Sequence, residues 1–316
     1  MNLVKLKLSM LGTIAAIICL STLFLALVLS LAGVDILLLP VFVIAFNLVQ
    51  WLIAPYLIDT LYRVRELPES ELPWLHRSVE KLCMASNMKK PKVMLAQIPI
   101  PNAFAYGSPI AGSRIAVTSK LLEILEPEEV ESVIGHELGH LKHRDVQVMM
   151  IASVLPAIFY YIGYSFMLSY YYRGSYGRDR GGNGLAALIG ILSIFMYYIL
   201  SLLVLGLSRL REYYADRHSA SIVEHGASKL ASALAKLITY TSKVPREKLE
   251  NFLSFRALFI TDPGRAHSDA EELRYGRSLA ESIASRKITW LDRFIELFST
   301  HPNIVKRIRA LLQLES

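Results

Sequence analysis

The chain has 316 residues, 53% of them hydrophobic and 19% charged, with mean hydropathy +0.39. A water-soluble domain carries more charge, about 25%, and the apolar excess here is gathered in four blocks, which points to an integral membrane protein rather than a large soluble core. The net charge of +7 comes without an aromatic-basic RNA motif or zinc-finger spacing, so basic residues at a membrane surface explain it and nucleic acid is not an expected partner.

Lys5 and Lys7 precede the first apolar run, residues 9–33, which carries no charge. At about 1.5 Å per residue it is long enough to cross the ~30 Å hydrocarbon layer. Its length exceeds that of a cleaved signal, and a second run, Ile36 to Ile58, follows after only Gly33-Val34-Asp35. Residues 1–62 therefore read as a transmembrane hairpin, with Trp51, Tyr56 and Tyr62 suited to an interface.

Residues 63–145 mix acids and bases and read as water-facing. Leu75, Val79, Leu82 and Cys83 recur at helical spacing up to Pro91. Lys92–Gln97, Asn102–Gly107 and Arg114–Thr118 read as strands, with a turn at Gly112-Ser113, and the simplest assembly is a small antiparallel sheet. Pro127, flanked by Glu126, Glu128 and Glu129, marks a helix start. That helix ends near Lys142-His143-Arg144. The third and fourth apolar runs, about Val146–Tyr171 with a kink at Pro156 and Leu185–Leu207, make a second hairpin within residues 146–207. Residues 208–316 return to a charged helical pattern, amphipathic near 228–242 and 288–298, with a polar stretch from Asp262 to Arg286.

Four spans place residues 63–145 and 208–316 on the N-terminal side. Lys5, Lys7, Arg63, Arg65, Arg209 and Arg211 identify that side as cytoplasmic, against Arg173, Arg178 and Arg180 in the loop at 173–184. Cys19 and Cys83 offer neither a disulfide framework nor a C-x-x-C site.

The chemistry centres on His136-Glu137-Leu138-Gly139-His140. On a helix the two histidines share a face and can hold one zinc ion, leaving Glu137 to handle a bound water. Val146 stands where a metzincin would place its third histidine, and His143 is placed to cap the helix end or to support a ligand. After the fourth run, Glu212 and Asp216 lie at i and i+4. Glu212 could bind the metal while Asp216 bonds a histidine and fixes its tautomer. A solvated face paired with Arg209, Arg211 and Arg217 is the plainer reading of these acids alone. Their place after a run that returns the chain to the motif's side favours the metal.

These residues resemble the HtpX-type membrane zinc endopeptidases, relatives of the CAAX prenyl proteases. The resemblance covers most of the chain: P-N-A-F-A-x-G at Pro101–Gly107, A-V-T at Ala116–Thr118, H-E-L-G-H-x-x-x-R-D at His136–Asp145, R-E-x-x-A-D at Arg211–Asp216, then Thr300-His301-Pro302 and Arg307-Ile308. Asn303 and Tyr213-Tyr214 depart from the pattern without touching a proposed ligand. The resemblance implies a mostly α integral membrane protein with four transmembrane helices and a zincin-like α+β catalytic domain. It implies one zinc ion on His136, His140 and Glu212, with Glu137 as general base. Asn102, His301 and Arg307 become candidates for holding substrate or oxyanion, although Asn102 as a turn residue and His301 as a helix cap are equally good readings. The expected activity is hydrolysis of peptide bonds in misfolded membrane proteins at the cell membrane, with the site and both termini cytoplasmic. Prenyl-protein endopeptidase, site-two-type intramembrane protease and non-catalytic scaffold are the rivals.

Overall fold

The computed structural model describes residues 38–176, 183–244 and 279–315. The first apolar run, Cys19, the centre of the 173–184 loop and most of the polar stretch after Asp262 lie outside them. The chain divides into two units, one of Leu52–Val146 with Arg209–Ser316 and the other of Asn2–Trp51 with Gln147–Ser208.

The first unit is built on a four-stranded sheet of β1 (Val64–Glu66), β2 (Lys92–Ala96), β3 (Ala103–Ser108) and β4 (Gly112–Thr118), in the order β1-β2-β4-β3. The sheet is mixed rather than antiparallel, because β2 and β4 run parallel, from Lys92 opposite Arg114 to Ala96 opposite Thr118. The connection decides this. β4 takes the place beside β2, and β3 folds back against β4 from the outside. A hairpin partner at the edge necessarily turns β4 to the direction of β2. Gly112 takes φ +74 at the hairpin turn, a left-handed value that favours glycine.

Alternate side chains on the strands serve two cores. Val93, Ile115 and Val117 face a large core shared with helices, whereas Met94, Phe104, Tyr106 and Ala116 pack with Tyr62 on the other face. Tyr62, expected at an interface, is 1% exposed in that second core. It ends up there because α1 (Leu38–Leu61) leads directly into β1.

The helices of the large core follow the expected spacings. α2 (Pro73–Ala85) buries Leu75, Val79, Leu82 and Cys83. After the short α3 (Ser119–Ile124), α4 (Pro127–Lys142) starts at a capping box in which Glu126 N–H donates to Glu129 Oε2 at 2.9 Å. It ends at His143, whose Nδ1 bonds the Gly139 carbonyl at 2.7 Å, and Arg144 turns the chain with φ +53. α7 (Gly226–Thr241) lays Leu230, Leu234 and Leu237 on α4's Val130, Val133 and Ile134 side of the core. α8 (Leu279–Ser285) and α10 (Ile304–Glu315) complete it with Ile283, Ile304, Ile308 and Leu311. Between them, α9 (Trp290–Leu297) is amphipathic, as expected near 288–298, but with its polar side inward: Glu296 is its one buried residue and its large apolar side chains are exposed.

In the second unit, α5 (Asp145–Tyr176) runs unbroken through Pro156, and α6 (Asn183–Ile222) continues beyond the unit to carry Glu212 and Asp216. Ile158, Phe159 and Ile162 of α5 pack on Ile189 and Leu200 of α6. Apolar side chains such as Tyr164, Leu168, Leu188, Ile191 and Phe195 stay exposed. Among the described residues two helices, not four, are long and apolar enough to cross a membrane, at Asp145–Tyr171 and Gly184–Ile222. The protein is mostly helical with one small mixed sheet.

Candidate metal centre

α4 presents His136 and His140 one turn apart, with their Nε2 atoms 3.1 Å from each other. α6 brings Glu212 to them. Its Oε1 lies 3.4 Å from His140 Nε2 and its Oε2 lies 3.9 Å from His136 Nε2. One donor atom from each of the three residues falls within 4.8 Å of the others. Tetrahedral donors at zinc-like bond lengths stand about 3.4 Å apart, so the set fits a single small cation.

Proton positions strengthen the fit. His140 Nδ1 is 2.6 Å from Asp145 Oδ2, and His136 Nδ1 is 2.9 Å from Asp216 Oδ1. Each carboxylate calls for the Nδ1–H tautomer, which leaves a lone pair on each Nε2. Two lone pairs and a carboxylate oxygen gathered this closely favour a cation among them. The Asp216–His136 contact is the one anticipated from sequence. Asp145 was visible there only as the last letter of a motif. The left-handed turn at Arg144 brings it back onto His140, and Arg211 holds it in place by bonding Asp145 Oδ1 and, at 2.9 Å, the His143 carbonyl.

Two glycines set how closely the helices approach. A Cβ on Gly139 would meet Ala215 Cα at 3.0 Å, and one on Gly135 would meet Ser219 Oγ at 3.1 Å. These positions precede His140 and His136 by one residue, so the face next to the ligands is the one that lets α6 in.

Arg307 is 1% exposed. Its Nε and Nη2 fork onto Asp216 Oδ2 and Oδ1 at 2.8 and 2.7 Å, and its Nη1 lies 2.9 Å from Glu212 Oε2. Burial works against its charge, but Asp216 and Glu212 outweigh burial and push its pKa up. Its Nη2 also lies 3.1 Å from His136 Nε2, so Arg307 is a counter-charge in contact with the ligands themselves. His301 joins the cluster too, with Nδ1 3.1 Å from Glu212 Oε2 and its N–H on Ser299 Oγ at 3.2 Å. Asn102 is fully buried at the start of β3, donating its N–H to Thr118 Oγ1 and accepting Thr118 N–H, both at 2.9 Å. Those backbone bonds are structural and assign its side chain no part in the chemistry.

Glu137 points to the sheet. Its Oε2 accepts the Ala105 N–H at 2.8 Å, and Ala105 belongs to the edge strand β3. Burial is the main force on this carboxyl and pushes its pKa up to about 7, near the working range of a general base at neutral pH. Burial likewise pushes His136 down to about 4. For His140 burial acts in the same downward sense, but bonding to Glu212 prevails and its pKa is raised.

The family model for Peptidase family M48 matches residues 69–315, a span that contains every residue of this cluster. The chain belongs to peptidase family M48. The "Protease HtpX homolog" of Thermoplasma acidophilum is 40% identical over 285 residues, 88% of this chain and 85% of the relative. That of Aeropyrum pernix is 39% identical over 283 residues, covering 88% and 86%, and that of Archaeoglobus fulgidus 35% over 303, covering 93% and 83%. The crystal structure of S. mikatae Ste24p shares the fold, with a TM-score of 0.57 over 98% of this chain and 67% of that one, at 16% identity. The M48 chain is thus an HtpX-like metalloprotease, acting on peptide or protein substrates and dependent on a metal ion.

Proposed function

We propose that this M48 peptidase is a zinc endopeptidase of the cell membrane, with His136, His140 and Glu212 as ligands and Glu137 as general base. The observation that carries this is the convergence of two Nε2 lone pairs and one carboxylate oxygen beside a buried, upshifted Glu137. When bound, the ion supplies Lewis acidity, polarising a carbonyl and acidifying a water. Glu137 takes the proton from the attacking water and passes it to the leaving amine. Asp145 and Asp216 hold the imidazoles in the Nδ1–H tautomer throughout, and Arg307 balances the acids. His301, beside Glu212, and Asn102, by motif resemblance alone, are candidates to bond the substrate backbone or the developing oxyanion. The edge strand β3 offers an extended peptide a place to pair, which suits broad specificity and a role in clearing misfolded membrane proteins.

The four-span reading accompanies this proposal, with divisions at 1–62, 63–145, 146–207 and 208–316 and with the site and both termini cytoplasmic. Supporting it are the exposed apolar faces of α5 and α6 and the 24-residue α1 on the second apolar run. Prenyl-protein endopeptidase stands second, on motif resemblance; cleavage of a prenylated C-terminal peptide in preference to casein would promote it.

The test is metal analysis with casein cleavage, wild type beside Glu137→Gln. One zinc per chain is expected in both. Cleavage should fall by at least about 100-fold in the variant, and chelation should abolish it in wild type until zinc is restored. Full activity of Glu137→Gln, or purified active protein without zinc, would overturn the assignment.

A further inference from the structure

Among the described helices of the first unit that follow the metal motif, α9 turns its apolar side chains outward. Trp290 is 78% exposed, and Leu291, Phe294, Ile295, Leu297 and Phe298 are exposed with it. A loose helix could be dismissed, but this one is fixed at both ends. At its start, Thr289 Oγ1 accepts the Asp292 N–H at 3.1 Å and Thr289 N–H donates to Asp292 Oδ2 at 2.9 Å. At its end, Arg209 Nη1 donates to the carbonyls of Glu296, Leu297 and Ser299 at 2.8, 3.2 and 2.8 Å. Glu296, its buried residue, accepts the Asn303 N–H at 3.0 Å and Lys306 Nζ. The polar side of α9 is therefore docked and the apolar side is held outward.

Arg209 says where. It lies two residues beyond Leu207, at which the last apolar run stops. At about 1.5 Å per residue, the backbone of the residue that clamps α9 is some 3 Å past the end of that run. A helix anchored there stands at the boundary between hydrocarbon and water. Eight residues, about 12 Å, are too few to cross a bilayer but suit a helix lying in its interface. Trp290 at its start fits the headgroup level, and exposed Lys287 and Arg293 match anionic lipid.

We propose that α9 is an interfacial membrane helix, its apolar side chains seated in the bilayer surface beside the end of the α6 run. This rests on the reading that α6 crosses the membrane, and the experiment separates the two. The full-length chain carrying Trp51→Phe and Trp74→Phe, so that Trp290 is the remaining tryptophan, is reconstituted in phosphatidylcholine–phosphatidylglycerol vesicles and floated on a density gradient. In the floated protein, lipid brominated at carbons 6 and 7 should roughly halve Trp290 emission and quench more than lipid brominated at 11 and 12, as expected for a shallow residue. Phe294→Asp should weaken that quenching. If the double variant misfolds, the bromine-sensitive emission lost between wild type and Trp290→Phe gives the same reading. Floated protein whose Trp290 ignores bromolipid overturns the inference: acrylamide quenching then means a face in water, and its absence means cover by protein, either a second copy or residues 245–278. Failure to float overturns the spanning reading, and α9's role with it.

Discussion

Asp145 and Asp216 do one job for two histidines: each bonds an Nδ1 and turns the opposite nitrogen into a donor. Their surroundings differ. Asp216 is forked by Arg307, whereas Asp145 is held by Arg211. Replacing Asp145 with Asn keeps the size but lets the amide present its NH2, so His140 can adopt the wrong tautomer. The expected result is metal affinity lower by roughly 10–100-fold, measured by chelator competition, with the metal-free protein also unfolding at a lower temperature because buried Arg211 loses its charged partner. A gain in that stability alone should not restore the metal affinity. An unaltered affinity would show that the tautomer is fixed by other means. At this scale the sequence was readable where partners are local. His136, Glu137 and His140 share one helical turn, as do Glu212 and Asp216. It was not readable for Asp145, whose use depends on a single left-handed residue and on an arginine 66 positions away.

Elements show the same division. The capped start of α4, its end at His143 and the buried stripe of α2 follow from spacing and end chemistry, and all are present. The sheet was readable as strands but not as a topology, because pairing direction depends on which strands win the centre. Two predictions belong here. Gly139→Ala gains about 1 kcal/mol of helix propensity, yet its Cβ would press on Ala215 Cα at 3.0 Å. The α4–α6 distance must grow by a few tenths of an ångström, so zinc affinity and cleavage should fall while α-helical circular dichroism does not. Retained zinc affinity would show that the helix pair absorbs the methyl. Ala105→Pro removes the N–H that Glu137 accepts and spoils the β3 edge for pairing. Cleavage should drop by more than tenfold, chiefly through KM, while zinc stays bound; unchanged kinetics would count against a peptide adding to β3.

For the whole molecule, the apolar blocks announced a membrane protein, and two described helices meet the length and composition it needs. Orientation rests on the distribution of basic residues, which the loop at 173–184 contradicts with three arginines of its own. A cysteine placed at Ser175, in a chain with Cys19 and Cys83 replaced by Ser, should react with a membrane-impermeant maleimide added to intact cells. Reaction only after the cells are opened would reverse the topology or remove the second hairpin.

One feature of the metal centre governs time as well as place. Its donors come from two helices, α4 and α6, and neither alone offers a complete set. An ion held by the proposed set would lose ligands whenever the pair parts, so opening of α4 from α6 is expected to speed its release. The residence time of such an ion is then sensitive to how often the two helices open. Radioactive zinc exchanging from otherwise undisturbed protein would report on that opening, and faster exchange in Gly139→Ala is the expected sign of it, without any substrate present.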